Sequence, residues 1–291
     1  MRIKNQISVV IITFNRCKEL KRAVDSILNQ SMKDIELIVV DNNSTDETEY
    51  ILQKYIHNNK NIKYIKNSKN LGVAGGRNVG FKNTSSEYVY FLDDDAYIQD
   101  IYFIEKLLNK IIADERVGVV STSIYDTVKK GYINKNSKDN EKLLFYQGGS
   151  HILKKSLFKD NSLYPDTLMY GGEELFASLI IYDNNNIVIY DKELTVIHEP
   201  SKVSRIDYKE AFLNNLVNRV AVKIMLYPKL IEPIIYISFI LKFIKNYGVN
   251  FNLFIKCKRN LINKLKNQKF KKIKFKTIFL LIKEFGLRNI L

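Results

Sequence analysis

A chain of 291 residues that is 46% hydrophobic and 26% charged is long enough to bury one large core and too apolar to remain a disordered tail. Two cysteines, Cys17 and Cys257, exclude a disulfide framework; with no charged leader, apolar core and cleavage site at the start, they point to a reducing, cytoplasmic setting. The formal charge of +15 is uneven: 13 Lys and Arg and no acid lie between Glu232 and Glu284, while the other 33 basic residues face 31 acidic ones.

Ile7–Thr13 is a β-branched run that predicts a buried strand, and Leu20, Ala23, Val24, Ile27 and Leu28 follow at helical spacing. The pattern repeats. Ile35–Val40 predicts a second strand ending in Asp41, after which Ser44 or Thr45 caps a helix through Thr48, Ile51, Leu52 and Tyr55. Ile62–Ile65 predicts a third strand, and a glycine-containing loop and helix from Asn70 to Phe81 leads into a fourth, Tyr88–Leu92. Successive β-α units imply a largely parallel sheet covered on both faces, with its ligand crevice at the carboxyl ends of the strands. Thr13-Phe14-Asn15, Asp41-Asn42-Asn43 and Asp93-Asp94-Asp95 all fall at such ends, so three polar clusters share one edge.

The aspartate triplet is the most informative of these clusters. Adjacent carboxylates repel one another, and holding them at the mouth of a sheet is costly unless a positive charge sits among them. Mg²⁺ and Mn²⁺ favour carboxylate oxygens and keep positions for phosphate and water, so the triplet predicts a metal and a phosphorylated ligand together. An acidic turn or helix cap is the competing reading.

Four segments in order then carry a resemblance: Val9 to Arg16, Ile38 to Asp46, Asn70 to Gly80, and the aspartate strand. They resemble the family 2 glycosyltransferases of the GT-A fold, which move sugars from nucleotide diphosphate donors with inversion at the anomeric carbon. The similarity runs on through Tyr170-Gly171-Gly172-Glu173-Glu174 to Val196-Ile197-His198. By resemblance Thr13, Asn15 and Asp41 line the nucleotide base pocket, where a carboxylate accepts from a pyrimidine imide N–H and so favours a UDP- or dTDP-sugar donor. Arg77 and Asn78 match residues near the ribose and diphosphate. Asp93 and Asp95 match the family's paired aspartates: Asp93 goes to the ribose or metal shell, Asp95 to the Mn²⁺ or Mg²⁺ that bridges the diphosphate, and Asp94 supports them.

Inverting transfer also needs a base across the site from the metal. The resemblance gives that role to Glu174, with Glu173 as the alternative, because this chain has glutamate where aspartate is commoner and Leu175-Phe176 where a further acid is usual. Acids at a helix start are favourable in any case, so capping is a second role for both. His198 matches a histidine that completes the metal shell in several relatives, with a structural histidine as the other reading. Gln147-Gly148-Gly149-Ser150 resembles the loop beneath the acceptor and donor sugar.

In the basic tail, lysines interleave with Ile240, Leu241, Phe243, Ile244, Phe251, Phe254, Ile262, Phe270 and Phe275. That mixture suits helices lying in an anionic membrane surface. Pro233 to Leu241, the longest apolar stretch, is far short of the roughly 20 residues that span a bilayer. Helices docked on the catalytic body are one alternative and a nucleic-acid arm another; the aromatic and aliphatic density argues against nucleic acid.

The expected architecture is therefore an α/β, Rossmann-like GT-A domain over residues 1–205, with a mixed, mostly parallel central sheet flanked by helices. A basic, helical C-terminal appendage over 206–291 follows it. The expected activity is metal-dependent transfer to a glycan or lipid-linked glycan acceptor in surface polysaccharide assembly, at the inner face of the cell membrane. A sugar nucleotidyltransferase would open with a glycine-rich phosphate loop, and Thr13-Phe14-Asn15-Arg16 has no glycine. A non-enzymatic membrane adaptor leaves the three polar clusters unexplained.

Overall fold

The computed structural model describes residues 6–134, 136–158, 163–201 and 208–291. The first half alternates strand and helix: β1 (Ile7–Thr13), α1 (Cys17–Leu28), β2 (Ile35–Asp41), α2 (Thr48–Asn58), β3 (Ile62–Lys66), α3 (Gly72–Lys82) and β4 (Tyr88–Asp93). Next come β5 (Ala96–Ile98), α4 (Phe103–Ile112), β6 (Val117–Asp126), β7 (Gly131–Tyr132), β8 (Ser150–Lys154), α5 (Glu173–Asp183) and β9 (Ile187–His198). Among the described residues, five α-helices follow: α6 (Tyr208–Leu226), α7 (Glu232–Tyr247), α8 (Phe251–Leu265), α9 (Phe275–Phe285) and α10 (Leu287–Ile290).

The strands form one sheet in the order β3-β2-β1-β4-β8-β6-β9-β5, with β7 paired to β6. β3, β2, β1 and β4 are parallel; β2, β1 and β4 carry the largely apolar runs of strands covered on both faces, while β3 is an edge strand with exposed Lys63 and Lys66. Beyond β4 the sheet is mixed: β8 runs antiparallel between β4 and β6, β9 is parallel to β6, and β5 is antiparallel to β9.

Strand alternation divides the core into two layers. Val9 and Ile11 of β1 pack with Leu20 and Val24 of α1 and with Phe103, Leu107 and Ile111 of α4. Val10 faces the other way, toward Ala74 and Phe81 of α3 and Phe176 of α5. That second layer continues into the C-terminal helices, through Val217, Phe239, Phe243, Leu261 and Ile278. Phe176 and Phe270 meet edge to face at 4.9 Å, and the Thr277 hydroxyl donates to Asp183 at 2.6 Å. The tail is thus docked on the body, the alternative that the sequence left open. The expected division at 205/206 falls in 202–207, outside the described residues.

Docking satisfies only one side of α7. Ile235, Phe239 and Phe243 are buried at a four-residue spacing, while Ile234, Ile237, Leu241 and Ile244 face outward, with Leu241 63% exposed. Among the described residues no helix is long and apolar enough to cross a membrane.

α3 lies unusually close to the sheet because it is rich in glycine. A Cβ at Gly80 would collide with Val10 Cγ1 and stand 3.3 Å from Val40 Cγ2. Overpacking of this kind costs about 1–3 kcal/mol. Gly80→Ala is expected to lower the unfolding free energy by that amount in urea denaturation with an unchanged m-value.

Candidate active site

The parallel register brings the strand ends level. Thr13 lies beside Asp41, and Ile12 beside Asp93, so β1, β2 and β4 stop at one edge of the sheet. The turns beyond them are tied together. Asn15, in a left-handed conformation at φ 54°, donates its amide to the Ser44 hydroxyl at 2.9 Å and accepts the Thr45 amide on Oδ1 at 2.8 Å. Asp41 is fully buried, accepting the Ser44 amide on Oδ1 at 2.7 Å and the Tyr64 hydroxyl on Oδ2 at 2.8 Å. Burial and the carboxylate raise the Tyr64 pKa, which keeps that phenol a donor.

The three aspartates point three ways. Asp94 turns inward, accepting from the Thr13 hydroxyl at 2.8 Å and from Arg16 Nη1 at 2.8 Å. Its burial pushes its pKa up to about 7 despite the guanidinium. Asp95 shares Arg16, whose Nη1 lies 3.2 Å from Oδ2. Asp93 is 34% exposed at the cleft and pairs with Arg77 at 2.9 Å. Much of the expected carboxylate repulsion is therefore relieved by two arginines, Arg16 for Asp94 and Asp95 and Arg77 for Asp93.

Arg77 is the centre of the site. It projects from α3, is 3% exposed, and donates through Nη2 to Asp93 and to the Gly148 carbonyl at 2.8 Å. Its Nη1 has no hydrogen-bond partner and faces Glu173 and Glu174, each 3.8 Å away. Although burial alone would lower its pKa, the three acids raise it, so the guanidinium stays charged. The glutamates open α5, just after Gly171 and Gly172 at φ 84° and 90°. Both carboxyls are raised above the usual range, first by burial. Glu173 is closed off at 2% side-chain exposure, with Oε2 unpartnered; Glu174 keeps 19%. Gly148 threads between Arg77 and Glu174, where an added Cβ would collide with the Glu174 carboxylate.

Asn78 faces the interior. Its Nδ2 donates to the Tyr164 carbonyl and to Asp166 Oδ1, both at 2.8 Å, and its Oδ1 accepts the Tyr164 amide at 3.0 Å. Both amide hydrogens are occupied inside the protein, where they fix the floor beneath Arg77.

His198 ends β9 opposite Ala96, which sets its ring against Asp95. Nε2 lies 3.2 Å from Asp95 Oδ1, and Nδ1 lies 3.5 Å from Asp126 Oδ2. Burial would lower the imidazole pKa, but the Asp95 carboxylate raises it overall. Among the described residues no group of three acid, histidine or cysteine side chains converges as a metal cage. The Asp95–His198 pair nevertheless fits a cation, because neighbouring ligands on an octahedral ion with bonds of about 2.1 Å stand about 3 Å apart. A carboxylate behind the far nitrogen is the usual way a ligating imidazole is oriented, and Asp126 stands there.

Sequence reasoning missed Arg16, Asp126 and the role of Gly148. Arg16 stood within a quoted segment, immediately after Asn15, and its charge beside an acidic cluster was the available signal. Asp126 meets His198 only through the β6–β9 pairing, which leaves no local trace.

The family model described as Glycosyl transferase family 2 matches residues 8–170, more than half of the chain. Over 200 residues the chain is 31% identical to the poly(ribitol-phosphate) beta-N-acetylglucosaminyltransferase TarP of Staphylococcus aureus, covering 63% of this chain and 60% of TarP. Over 91 residues it is 43% identical to the GalNAc(5)-diNAcBac-PP-undecaprenol beta-1,3-glucosyltransferase of Campylobacter jejuni, covering 31% and 29%. The chain therefore spans less than two thirds of the length of either relative. Among solved structures, S. aureus TarS 1-349 in complex with UDP-GlcNAc superposes with a TM-score of 0.65 at 21% identity, covering 89% of this chain and 79% of that one. The mannosyltransferase PcManGT of Pyrobaculum calidifontis, in complex with GDP-Man and Mn²⁺, gives 0.62 at 16%, covering 90% and 74%. These structural likenesses establish the GT-A fold.

Removing a buried cation that serves three acids leaves uncompensated charge, which costs about 3–5 kcal/mol. For Arg77→Met that loss is expected at pH 7.5. Without the guanidinium the folded-state pKa values of Glu173 and Glu174 rise further above their unfolded values. Stability is then intact below the unfolded carboxyl pKa and is lost as pH rises through the folded one. Denaturation of the variant at pH 5 should recover part of the deficit; a loss independent of pH would contradict the assignment.

Proposed function

This chain belongs to glycosyl transferase family 2, and from that membership we propose that it is an inverting, metal-assisted transferase using a UDP- or dTDP-sugar donor. One observation carries the proposal: Asp93 at the end of β4 and Glu174 at the start of α5 flank the same buried guanidinium, so a donor edge and an acceptor carboxylate face each other across Arg77. In this reading the acceptor hydroxyl gives its proton to Glu174 as its oxygen attacks the anomeric carbon from the face opposite the nucleotide. Access favours Glu174 over Glu173, which is shut behind Arg77.

Thr13, Asn15 and Asp41 bound the base pocket in this proposal, and Asp94 braces its wall through Thr13 and Arg16. Asp95 and His198, with Asp93 beside them, would hold Mn²⁺ or Mg²⁺. When bound, the cation supplies charge stabilisation to the departing nucleotide diphosphate. The Mn²⁺ in the mannosyltransferase structure and the UDP-GlcNAc in the TarS structure support the metal and the donor class. The relatives named for poly(ribitol-phosphate) and for PP-undecaprenol support a glycan or lipid-linked glycan acceptor in surface polysaccharide assembly, such as a capsule or lipopolysaccharide.

Residues 206–291 form, in this proposal, a peripheral attachment to the inner face of the membrane. The outward stripe Ile234, Ile237, Leu241 and Ile244 supports it, with Lys245 and Lys242 near the same end of α7. Apolar side chains would enter the acyl boundary and lysines would meet anionic head groups.

A thermal-shift screen of UDP-, dTDP- and GDP-sugars with Mn²⁺ is expected to raise Tm with a uridine or thymidine donor. With that donor, Asp95→Ala should lose metal-dependent transfer while staying folded, and Glu174→Gln should keep donor binding but turn over about 10²–10⁴-fold more slowly. Near-normal transfer by Glu174→Gln would move the base to Glu173. In a separate vesicle-flotation assay, Ile237→Glu with Leu241→Glu is expected to abolish binding to phosphatidylglycerol vesicles; undiminished flotation would remove α7 from the membrane contact.

A further inference from the structure

The segment that leads into the base-bearing helix contains two consecutive glycines in the left-handed region, Gly171 and Gly172. Glycine explores more backbone conformations than any other residue, so this loop has little intrinsic reason to hold one shape. Its hold comes from α6, which lies beyond the residues matched by the family model. Asn218, buried on α6, donates Nδ2 to the Tyr170 carbonyl at 2.8 Å and to the Gly171 carbonyl at 2.6 Å. The backbones are also in direct contact: a Cβ at Gly172 would stand 3.0 Å from Asn218 Cβ and 3.4 Å from the Asn218 carbonyl carbon. One amide group therefore fixes the Tyr170–Gly171 and Gly171–Gly172 peptide planes, which lead into Glu173 and Glu174.

Only a residue with two hydrogens on one nitrogen, reaching two carbonyls from a rigid helix, performs this task. Aspartate has the same shape but would present oxygens to both carbonyls. Nothing else in the proposed chemistry uses Asn218, and its side chain is hydrogen-bonded to neither carboxylate of the pair.

We propose that Asn218 is a positioning residue for the base: it pins the Tyr170–Gly172 loop and thereby fixes the direction from which Glu174 meets the acceptor hydroxyl. The proposal rests on the assignment of the base to the Glu173–Glu174 pair. It makes the C-terminal helices part of the catalytic unit, since the acceptor half of the site is incomplete without α6.

The test compares Asn218→Ala, Asn218→Asp and Gly172→Ala with Asn260→Ala, whose amide contacts Asn214 at 3.4 Å on the same helical layer and does not approach the loop. Hydrogen exchange over residues 170–175 is expected to quicken about tenfold or more in the first three variants, with exchange in β4 unchanged. With the donor selected by thermal shift, kcat is expected to fall about 10- to 100-fold while the donor KM stays within about twofold, because misplacing a reacting group costs rate rather than ground-state binding. Asn260→Ala should show neither effect. Unchanged exchange at 170–175, an unaffected kcat, or a KM that rises in step with the fall in kcat would overturn the proposal. If the wild-type protein turns over no sugar nucleotide, the functional reading fails, and the exchange measurement still decides whether Asn218 fixes the loop.

Discussion

The site depends on one buried cation. Arg77 is itself buried among Asp93, Glu173 and Glu174, and its charge is what allows three carboxylates to share one small volume. The neighbouring sequence follows from that requirement. Gly148 has no side chain because its carbonyl must reach Arg77 and its Cα must pass Glu174. Asn78, one residue on, locks the Tyr164–Asp166 segment beneath the guanidinium, so the arginine cannot swing away from its partners. The close approach of α3 to β1 and β2 brings the whole assembly within reach of the strand ends.

A second cation performs the same task on the other side. Arg16 bridges Asp94 and Asp95, and Asp94 in turn accepts from Thr13, so the ends of β1 and β4 are joined through charge as well as through the ladder. The triplet thereby divides its labour. Asp94 is structural and buried, Asp95 faces His198, and Asp93 alone looks both into the cleft and back to Arg77. Three identical side chains acquire different roles from the directions in which consecutive residues leave a strand end.

Much of this was legible in the sequence, for a physical reason. Parallel strands buried on both faces need continuous β-branched runs, so Ile7–Thr13 and Ile35–Asp41 announced themselves, and the polar residues that end such runs marked the crevice. Contacts made across long separations were not legible. β8 inserts antiparallel beside β4, the Asn78 amide turns to Tyr164, and Asp126 reaches His198 through strand pairing; none leaves a periodic signal. The tail was legible in part. Its lysines and apolar residues suit a lipid surface, yet the same alternation also builds helices that bury Phe239, Phe243 and Leu261 against the body. Composition records that a helix has an apolar face, and it does not record what that face meets.

The two halves of the site are therefore built by different physics. The proposed donor edge arises from local β-α units whose register alone aligns Thr13, Asp41 and Asp93. The proposed acceptor side is assembled from α5, the Gly148 loop and α6, segments separated by tens of residues and held by a few buried polar contacts. A change in the C-terminal helices can alter the surroundings of Glu173 and Glu174 while leaving the strand register, and with it the edge formed by Thr13, Asp41 and Asp93, untouched. That separation explains why the strand-end edge can be read from short motifs while the α5 side cannot: the residues around Glu173 and Glu174 are fixed by docking, and docking is a property of the whole chain.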